Sequence, residues 1–143
     1  MSVAPHRRRL LRGRGSRIYV ELLLDALLEY VEVPLVACAR DGCVTHVNSH
    51  AHELLRCKRL VGTGPGVWVA ALRPRTATGL PMPLEDLPPL RALDGEHVRR
   101  VPILVSLRGR DLLLEVGATP LIDSRMRRRG ALVSLSVLSG APT

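Results

Sequence analysis

The sequence is poor in aromatic residues, since its 143 residues contain no phenylalanine, one tryptophan and two tyrosines. Trp68, Tyr19 and Tyr30 are the only rings that could stack on a flavin or an unpaired nucleobase. Hydrophobic residues nevertheless make up 46% of the chain, which is typical of one globular domain with a single core. The composition therefore predicts an aliphatic core and disfavours ligands that are bound by aromatic stacking.

Cysteine is also scarce, and the three cysteines are an odd number. The basic N-terminal segment is followed by neither an apolar secretory leader nor an apolar run of about 18 residues. Reduced thiols and the lack of such segments are typical of a cytoplasmic protein. We expect neither export nor a membrane-spanning segment.

Lysine is nearly absent, with Lys58 against twenty arginines, and the formal net charge is +8. Six of the arginines precede the first acidic residue, Glu21, so the rest of the chain carries only +2. Residues 1–16 mix Arg, Gly, Ser and Pro without apolar periodicity, which predicts a flexible tail. An arginine-rich tail can bind nucleic acid or anionic lipid, and a small nucleic-acid-binding regulator is the alternative interpretation. Because no aromatic residue is interleaved and no recognition helix follows, we do not expect nucleic acid as a partner.

No catalytic motif is present: the sequence has no nucleophile paired with a base, no paired acidic site and no phosphate-binding loop. Six cysteines and histidines lie within twenty residues and could in principle bind zinc or haem iron: Cys38, Cys43, His46, His50, His52 and Cys57. However, Cys38 and Cys43 are not predicted to pair across their hairpin, and His50 and His52 would lie on different helix faces. We therefore predict no metal site, no haem or flavin cofactor and no enzyme activity.

Residues 17–32 form the most regular helical pattern in the sequence. Four acidic residues recur at spacings of four, four and three, and aliphatic residues fill the opposite face. The apolar stripe is wide enough to pack on a domain and on a second copy of itself. We expect a homodimer through this helix, with the contact made by Val20, Leu24, Leu27 and Val31.

The next segment predicts a β-hairpin, with strands at 35–39 and 43–47 joined by a two-residue type I′ turn at Asp41 and Gly42. Asn48 and Ser49 are placed to cap a short helix over 51–55. Residues 61–83 contain four glycines and four prolines and are predicted to be irregular. A brief helix starting at Pro88 or Pro89 should stop at Gly95.

The last third of the sequence predicts three β-strands. Apolar residues alternate with more polar ones over 101–107, 112–118 and 131–137, and turn residues separate the three segments. Such a pattern indicates an antiparallel meander with one buried face.

Two passages resemble bacterial PAS domains. The first is LDALLEYVEVPLVACARDGCVTHVNSHAHELL at residues 24–55, with its Asp-Gly turn at Asp41 and Gly42 and its cap at Asn48. The second, residues 83–138, leads through PLEDLPPLRALDGEHV into the three closing strands. The resemblance implies an α+β fold with a five-stranded antiparallel sheet, short helices on one face and an N-terminal amphipathic helix. It places a PAS-like domain at residues 17–139, including the helix at 17–32.

The resemblance also implies the function. PAS domains take part in signal transduction and transcriptional regulation as sensor or protein-interaction modules, often as dimers, with a ligand cavity between the sheet and the helices. We expect a non-catalytic, dimeric PAS-type sensor or interaction domain that acts through a separate signalling protein or a missing output domain, with a small apolar molecule as the ligand its cavity would take.

Overall fold

A computed structural model describes residues 14–56 and 59–140. Residues 1–13 of the predicted tail and Cys57 lie outside the described residues. The chain divides into two compact units, residues 1–32 and residues 33–143. In the first unit the described helix is α1, Arg14–Tyr30, which begins within the range predicted as tail. The Val31 N–H donates to the Leu27 carbonyl at 3.1 Å and so completes the last turn of the helix.

The second unit combines five strands with three short α-helices. In chain order these are β1 (Leu35–Ala39), β2 (Val44–Val47), α2 (Ser49–Leu55), α3 (Pro65–Leu72), α4 (Pro88–Leu93), β3 (Val98–Leu107), β4 (Arg110–Ile122) and β5 (Arg128–Gly140). One 3₁₀ turn, Leu84–Asp86, precedes α4.

The five strands form one antiparallel sheet in the order β2-β1-β5-β4-β3. Strands β3 to β5 are the predicted meander, and the N-terminal hairpin joins it because β1 pairs with β5. Alternate residues of each strand point to one face and are buried there against α2, α3 and α4. Val36 pairs with Val133 and Ile103 with Leu114 on this inner face. The predicted five-stranded α+β architecture with helices on one face is confirmed.

The loop of the β1–β2 hairpin has three residues rather than the predicted two. The Ala39 N–H donates to the Cys43 carbonyl at 2.8 Å, and the Gly42 N–H donates to the Ala39 carbonyl at 2.9 Å. Within this loop, Gly42 alone has a positive φ, of 86°. A type I′ turn needs two left-handed residues, and Asp41 is not one, so the loop is a tight turn followed by a left-handed glycine.

Helix α3 was missed by the sequence prediction, which treated residues 61–83 as irregular. Pro65 is the first residue of this helix and Gly64 is its N-cap. Proline suits the first helical turn because that turn does not need its N–H. The glycines and prolines that suggested a loop are therefore the start signal of a helix with the sequence PGVWVAAL.

Short bridges cover part of both sheet edges. At the β3 edge, Arg75 and Leu104 exchange two backbone hydrogen bonds of 2.9 Å each. At the β2 edge, the Val44 N–H donates to the Thr63 carbonyl, and the Gly62 N–H donates to the Val44 carbonyl. These bridges satisfy edge groups that would otherwise be free to pair with another strand. Within the described part of the chain, no helix is both long and apolar enough to cross a bilayer.

Candidate functional site

A cavity of about 90 Å³ lies inside the second unit, between the inner face of the sheet and the helices. Its wall has three parts: sheet residues, helix residues and the segment that enters α4. The lining residues are Val36, Cys38, Val44, Leu55, Leu60, Trp68, Leu72, Pro74, Leu87, Pro88, Pro89, Ile103, Val105, Leu114, Val116, Val133 and Leu135. All but Cys38 and Trp68 have purely hydrocarbon side chains, so the cavity is suited to an apolar occupant.

The lone tryptophan lines one side of this cavity and holds α3 on the hairpin. The buried Trp68 indole donates from Nε1 to the Gly42 carbonyl at 3.1 Å. A Cβ added at Gly42 would lie 2.6 Å from Cγ of Pro65, so only glycine allows this approach. The Asp-Gly turn that the sequence suggested is therefore also the docking point of a helix that the sequence did not predict.

Asn48 is buried, with 1% of its surface exposed, and it joins three segments. Its Oδ1 accepts from the Ala51 N–H and from the Leu35 N–H, both at 2.9 Å. Its Nδ2 donates to the Val33 carbonyl at 2.7 Å. Asn48 is thus the predicted cap of α2, and it also fixes the start of β1.

Two thiols of the hairpin have different surroundings. Burial raises the pKa of the Cys38 thiol, although a hydrogen bond with the Ala131 backbone opposes the shift. The pKa of the half-buried Cys43 thiol is also raised, chiefly by a hydrogen bond with the Asp41 carboxylate. The pKa of Asp41 is lowered because its carboxylate accepts from the Cys43 N–H at 3.0 Å. A raised thiol pKa means less thiolate, so neither sulfur is arranged as a nucleophile.

The histidines and cysteines considered as metal ligands form no ligand cluster among the described residues. Within residues 14–56 and 59–140, no three His, Cys, Asp or Glu side chains come close enough to hold a metal ion. Nδ1 of His46 lies 2.9 Å from the Thr45 hydroxyl, on the hairpin. His97 is exposed just before β3, and its Nδ1 lies 2.9 Å from the Thr119 hydroxyl.

The four predicted dimer residues lie on α1 or directly after it, and all are exposed. The exposed fractions are 55% for Val20, 38% for Leu24, 53% for Leu27 and 40% for Val31. Their contact with a second copy is a prediction that the structure of one chain does not test.

The sequence pointed to the turn and the cap, and the resemblance implied a cavity, but neither identified the residues that line it. Trp68 and Leu72 come from the helix that was missed, and Leu87 to Pro89 come from a segment recognised only as a helix start. Proline at a first helical turn, followed by the apolar run VWVAAL, was the available signal for the Trp68 wall. Nothing in a linear sequence shows that inward-facing side chains leave a gap between them.

The chain has solved structural counterparts although its sequence matches no protein-family model and no curated protein. It is similar to the PAS domain of nitrogen regulation protein NR(II) from Vibrio parahaemolyticus, with 20% identity and a TM-score of 0.59 over 81% of this chain and 98% of that one. The PAS domain of BvgS from Bordetella pertussis has 15% identity and a TM-score of 0.59 over 85% and 88% of the two chains.

A third counterpart is the VqmA dimer from Vibrio cholerae, with 16% identity and a TM-score of 0.58 over 82% of this chain and 52% of that one. VqmA has also been solved bound to DPO. These identities are low, so the likeness concerns the arrangement of the backbone. That arrangement confirms the predicted resemblance at the level of the fold: this chain has the PAS fold.

Proposed function

We propose that the protein is a non-catalytic PAS-type sensor and interaction domain that dimerises and passes a signal to a separate partner or output domain. The observation that carries the proposal is the apolar cavity beneath the sheet, with the lone tryptophan in its wall. The PAS fold of bacterial regulatory proteins such as NR(II) supports the assignment to signalling. VqmA, which has the same fold, is described as a dimer and as bound to DPO.

The lining of the cavity supports a small apolar molecule as the ligand. An engineered cavity of about 150 Å³ in another protein stays dry and binds benzene or xenon. The cavity here is smaller, about 90 Å³, and the indole N–H in its wall already donates to a carbonyl. Among the described residues, no buried side-chain nitrogen or oxygen lacks a hydrogen-bond partner. A dissolved gas or a hydrocarbon of a few carbons therefore fits the site, whereas a polar metabolite would lose its hydrogen bonds to water.

Xenon is a suitable probe of the cavity. In the full-length protein, we expect xenon to shift the methyl NMR signals of the lining residues and the fluorescence of Trp68. The NMR signals of exposed methyl groups should not change. Val133→Ile, which adds one methylene group to the cavity wall, should abolish these shifts. Val137→Ile is the matched control, because Val137 lies in the same strand and is 49% exposed. Unperturbed methyl signals under xenon in the wild-type protein would refute the proposed ligand class.

Dimerisation is proposed from the spacing of the exposed residues of α1. Positions 20, 24, 27 and 31 are separated by four, three and four residues, which is the repeat of the two core positions of a coiled coil. The acidic residues Asp25 and Glu29 fall outside that seam. Burying the seam against a second α1 would remove exposed aliphatic surface from water.

Sedimentation at high micromolar concentration tests the dimer. We expect Leu27→Glu to convert the dimer to a monomer, since it places two carboxylates in the seam. Leu22→Glu is the control, because Leu22 is 62% exposed and lies away from the four seam positions. A monomeric wild-type protein, or equal effects of the two variants, would show that α1 is not the contact. This result is independent of the xenon result, so the two halves of the proposal can fail separately.

A further inference from the structure

Five arginines from three distant segments converge at one end of the second unit, around the β3–β4 turn. We name this group the arginine end; it comprises Arg56 after α2, Arg73 and Arg75 after α3, and Arg108 and Arg110 in the turn. Nη2 of Arg108 donates to the Arg56 carbonyl at 3.4 Å. Nη2 of Arg75 lies 2.8 Å from Oδ1 of Asp111 and 2.7 Å from the Ser106 hydroxyl.

The arginine end has a large excess of positive charge. Asp111 is the one carboxylate bonded to it, and that carboxylate is already shared by Arg75 and Ser106. Glu53 lies three residues before Arg56 in α2 and makes no ion pair with it. Within the described ranges, none of Arg56, Arg73, Arg108 and Arg110 forms an ion pair, and all four are exposed.

The net charge of the residues after Arg17 underestimates how basic the second unit is. Four acidic residues belong to the first unit, in or just after α1, so residues 33–143 contain fifteen basic and nine acidic residues, a formal net charge of +6. The net charge of +2 given above for the residues after Arg17 includes the four acidic residues in or just after α1 as well as the second unit. The second unit is therefore more basic than the sequence average indicates.

Three of these arginines occupy backbone positions that favour glycine. Arg56 has a φ of 47°, Arg73 of 50° and Arg108 of 52°, all in the left-handed region. Arg56 and Arg73 are the C-caps of their helices, where glycine is the usual residue because it lacks the Cβ clash. Elsewhere in the described chain glycine fills such positions at Gly42 and Gly95, whereas Arg100 and Met126 are left-handed residues outside the arginine end. The left-handed backbone therefore does not by itself indicate a function, but it means that glycine can replace Arg56, Arg73 and Arg108 without backbone strain.

The exposed surface of the arginine end is rich in charge, and exposed aliphatic residues lie only at its border. Leu80 is 65% exposed next to Pro81, which pairs with Arg75, and Val137 and Leu138 are about half exposed in β5 opposite the start of β4. Base-specific stacking needs exposed rings, and none of the exposed hydrophobic residues of the described second unit is aromatic. Planar guanidinium groups match phosphate groups best, since each can donate two parallel hydrogen bonds.

We propose that the arginine end binds the phosphodiester backbone of nucleic acid without reading its sequence. The binding would be electrostatic, with Arg56, Arg73 and Arg108 on phosphates and Arg75 held in place by Asp111. This site lies in the folded domain and is distinct from the N-terminal tail. It does not depend on the cavity or on dimerisation.

Fluorescence anisotropy with a short random-sequence DNA duplex tests the proposal on the full chain. Removing three phosphate contacts should lower the slope of log affinity against log salt by about 2.7, because each contact contributes about 0.9. A fourfold rise in salt lowers the affinity of both proteins. The fall should be about 40 times smaller for R56Q/R73Q/R108Q than for the wild type. The matched control is R125Q/R127Q/R128Q, which removes the same charge from three exposed arginines at the other end of β4 that likewise form no ion pair among the described residues.

A second triple variant separates binding from folding. In R56G/R73G/R108G, glycine fits the left-handed backbone, so the melting temperature should be unchanged or higher while the same part of the salt slope is lost. Replacing Arg7, Arg8, Arg9, Arg12 and Arg14 with Gln removes the arginines of residues 1–16 and should leave the effect of the arginine end in place.

Three outcomes would overturn the proposal. The first is a wild-type protein that does not bind the duplex, and the second is an equal fall of the slope in the two Gln triples, which would indicate unspecific charge. In the third outcome, polyglutamate of the same charge would displace the duplex at equal concentration, and the surface would then be assigned to an acidic polypeptide.

Discussion

Replacing Asn48 with alanine should destabilise the second unit more than the loss of a helix cap alone. Its Oδ1 accepts from the Leu35 and Ala51 N–H groups, and its Nδ2 donates to the Val33 carbonyl. Loss of the cap on the Ala51 N–H costs about 1 kcal/mol. The half-buried Leu35 N–H is also left without this partner, and an unsatisfied donor costs about 1–3 kcal/mol when it is fully buried. The Val33 carbonyl belongs to an exposed residue and can turn to water.

The expected loss of unfolding free energy for Asn48→Ala is therefore about 2–4 kcal/mol, which is large against the roughly 5–15 kcal/mol of a typical domain. Urea unfolding followed by Trp68 fluorescence measures it, as a lower midpoint at an unchanged slope. The buried position of the single tryptophan makes the signal specific to the second unit.

Asn48→Ser separates the two contributions. A serine hydroxyl caps a helix well but is too short to reach the Leu35 N–H as well, so this variant should recover about 1 kcal/mol of the loss. Stability of Asn48→Ala within about 0.5 kcal/mol of the wild type would refute the reasoning, since surface substitutions have effects of that size. Full recovery by serine would show that the bond to Leu35 contributes nothing.

Three further predictions concern the hairpin, the core and pH. Gly42→Ala should cost about 1–3 kcal/mol and change the Trp68 emission, because its Cβ would meet Pro65 and its φ of 86° is strained; an unchanged spectrum would contradict this. Leu114→Ala should lower the unfolding free energy by about 2–5 kcal/mol and increase xenon uptake, measured by the NMR titration; a stable variant with unchanged uptake would mean that the cavity had collapsed. Burial raises the pKa of Cys38, so the fold disfavours its thiolate, and the stability that depends on this thiol is complete below about pH 8.5 and declines above it. Cys38→Val should remove that part of the alkaline decline in urea midpoints, and equal slopes for both proteins would refute it.

The meander illustrates what could be predicted from the sequence. The alternation at 101–107, 112–118 and 131–137 identified β3, β4 and β5, because a strand with one buried face must alternate apolar and polar residues. The strands extend beyond those limits, since backbone pairing continues after the alternation ends, as between Ile122 and Arg128.

Helix α3 and the hairpin loop show why the remainder was missed. Gly64 and Pro65 carry the same local signal in a loop and at a helix start, and the contact between Pro65 and Gly42 decides which one forms. The loop length depends on whether one residue or two become left-handed, and the Asp-Gly pair is compatible with both.

The arginine end could not be predicted from the sequence for a different reason. Arginine is neither a turn former nor a glycine substitute by propensity, so the left-handed positions at Arg56, Arg73 and Arg108 leave no mark on the sequence. The charge balance also averaged the basic second unit with the acidic residues of α1.

The sequence by itself determined the fold class, the amphipathic α1, the cap at Asn48 and the resemblance to PAS domains. Each of these follows from a local pattern, because the burial of one face of a helix or strand is recorded within that element. Only the tertiary structure decided the apolar cavity, the docking of Trp68 on the hairpin and the gathering of Arg56, Arg75 and Arg108. These features depend on strand register and helix packing, which bring together residues that are tens of positions apart and whose spacing along the chain carries no trace of the contact.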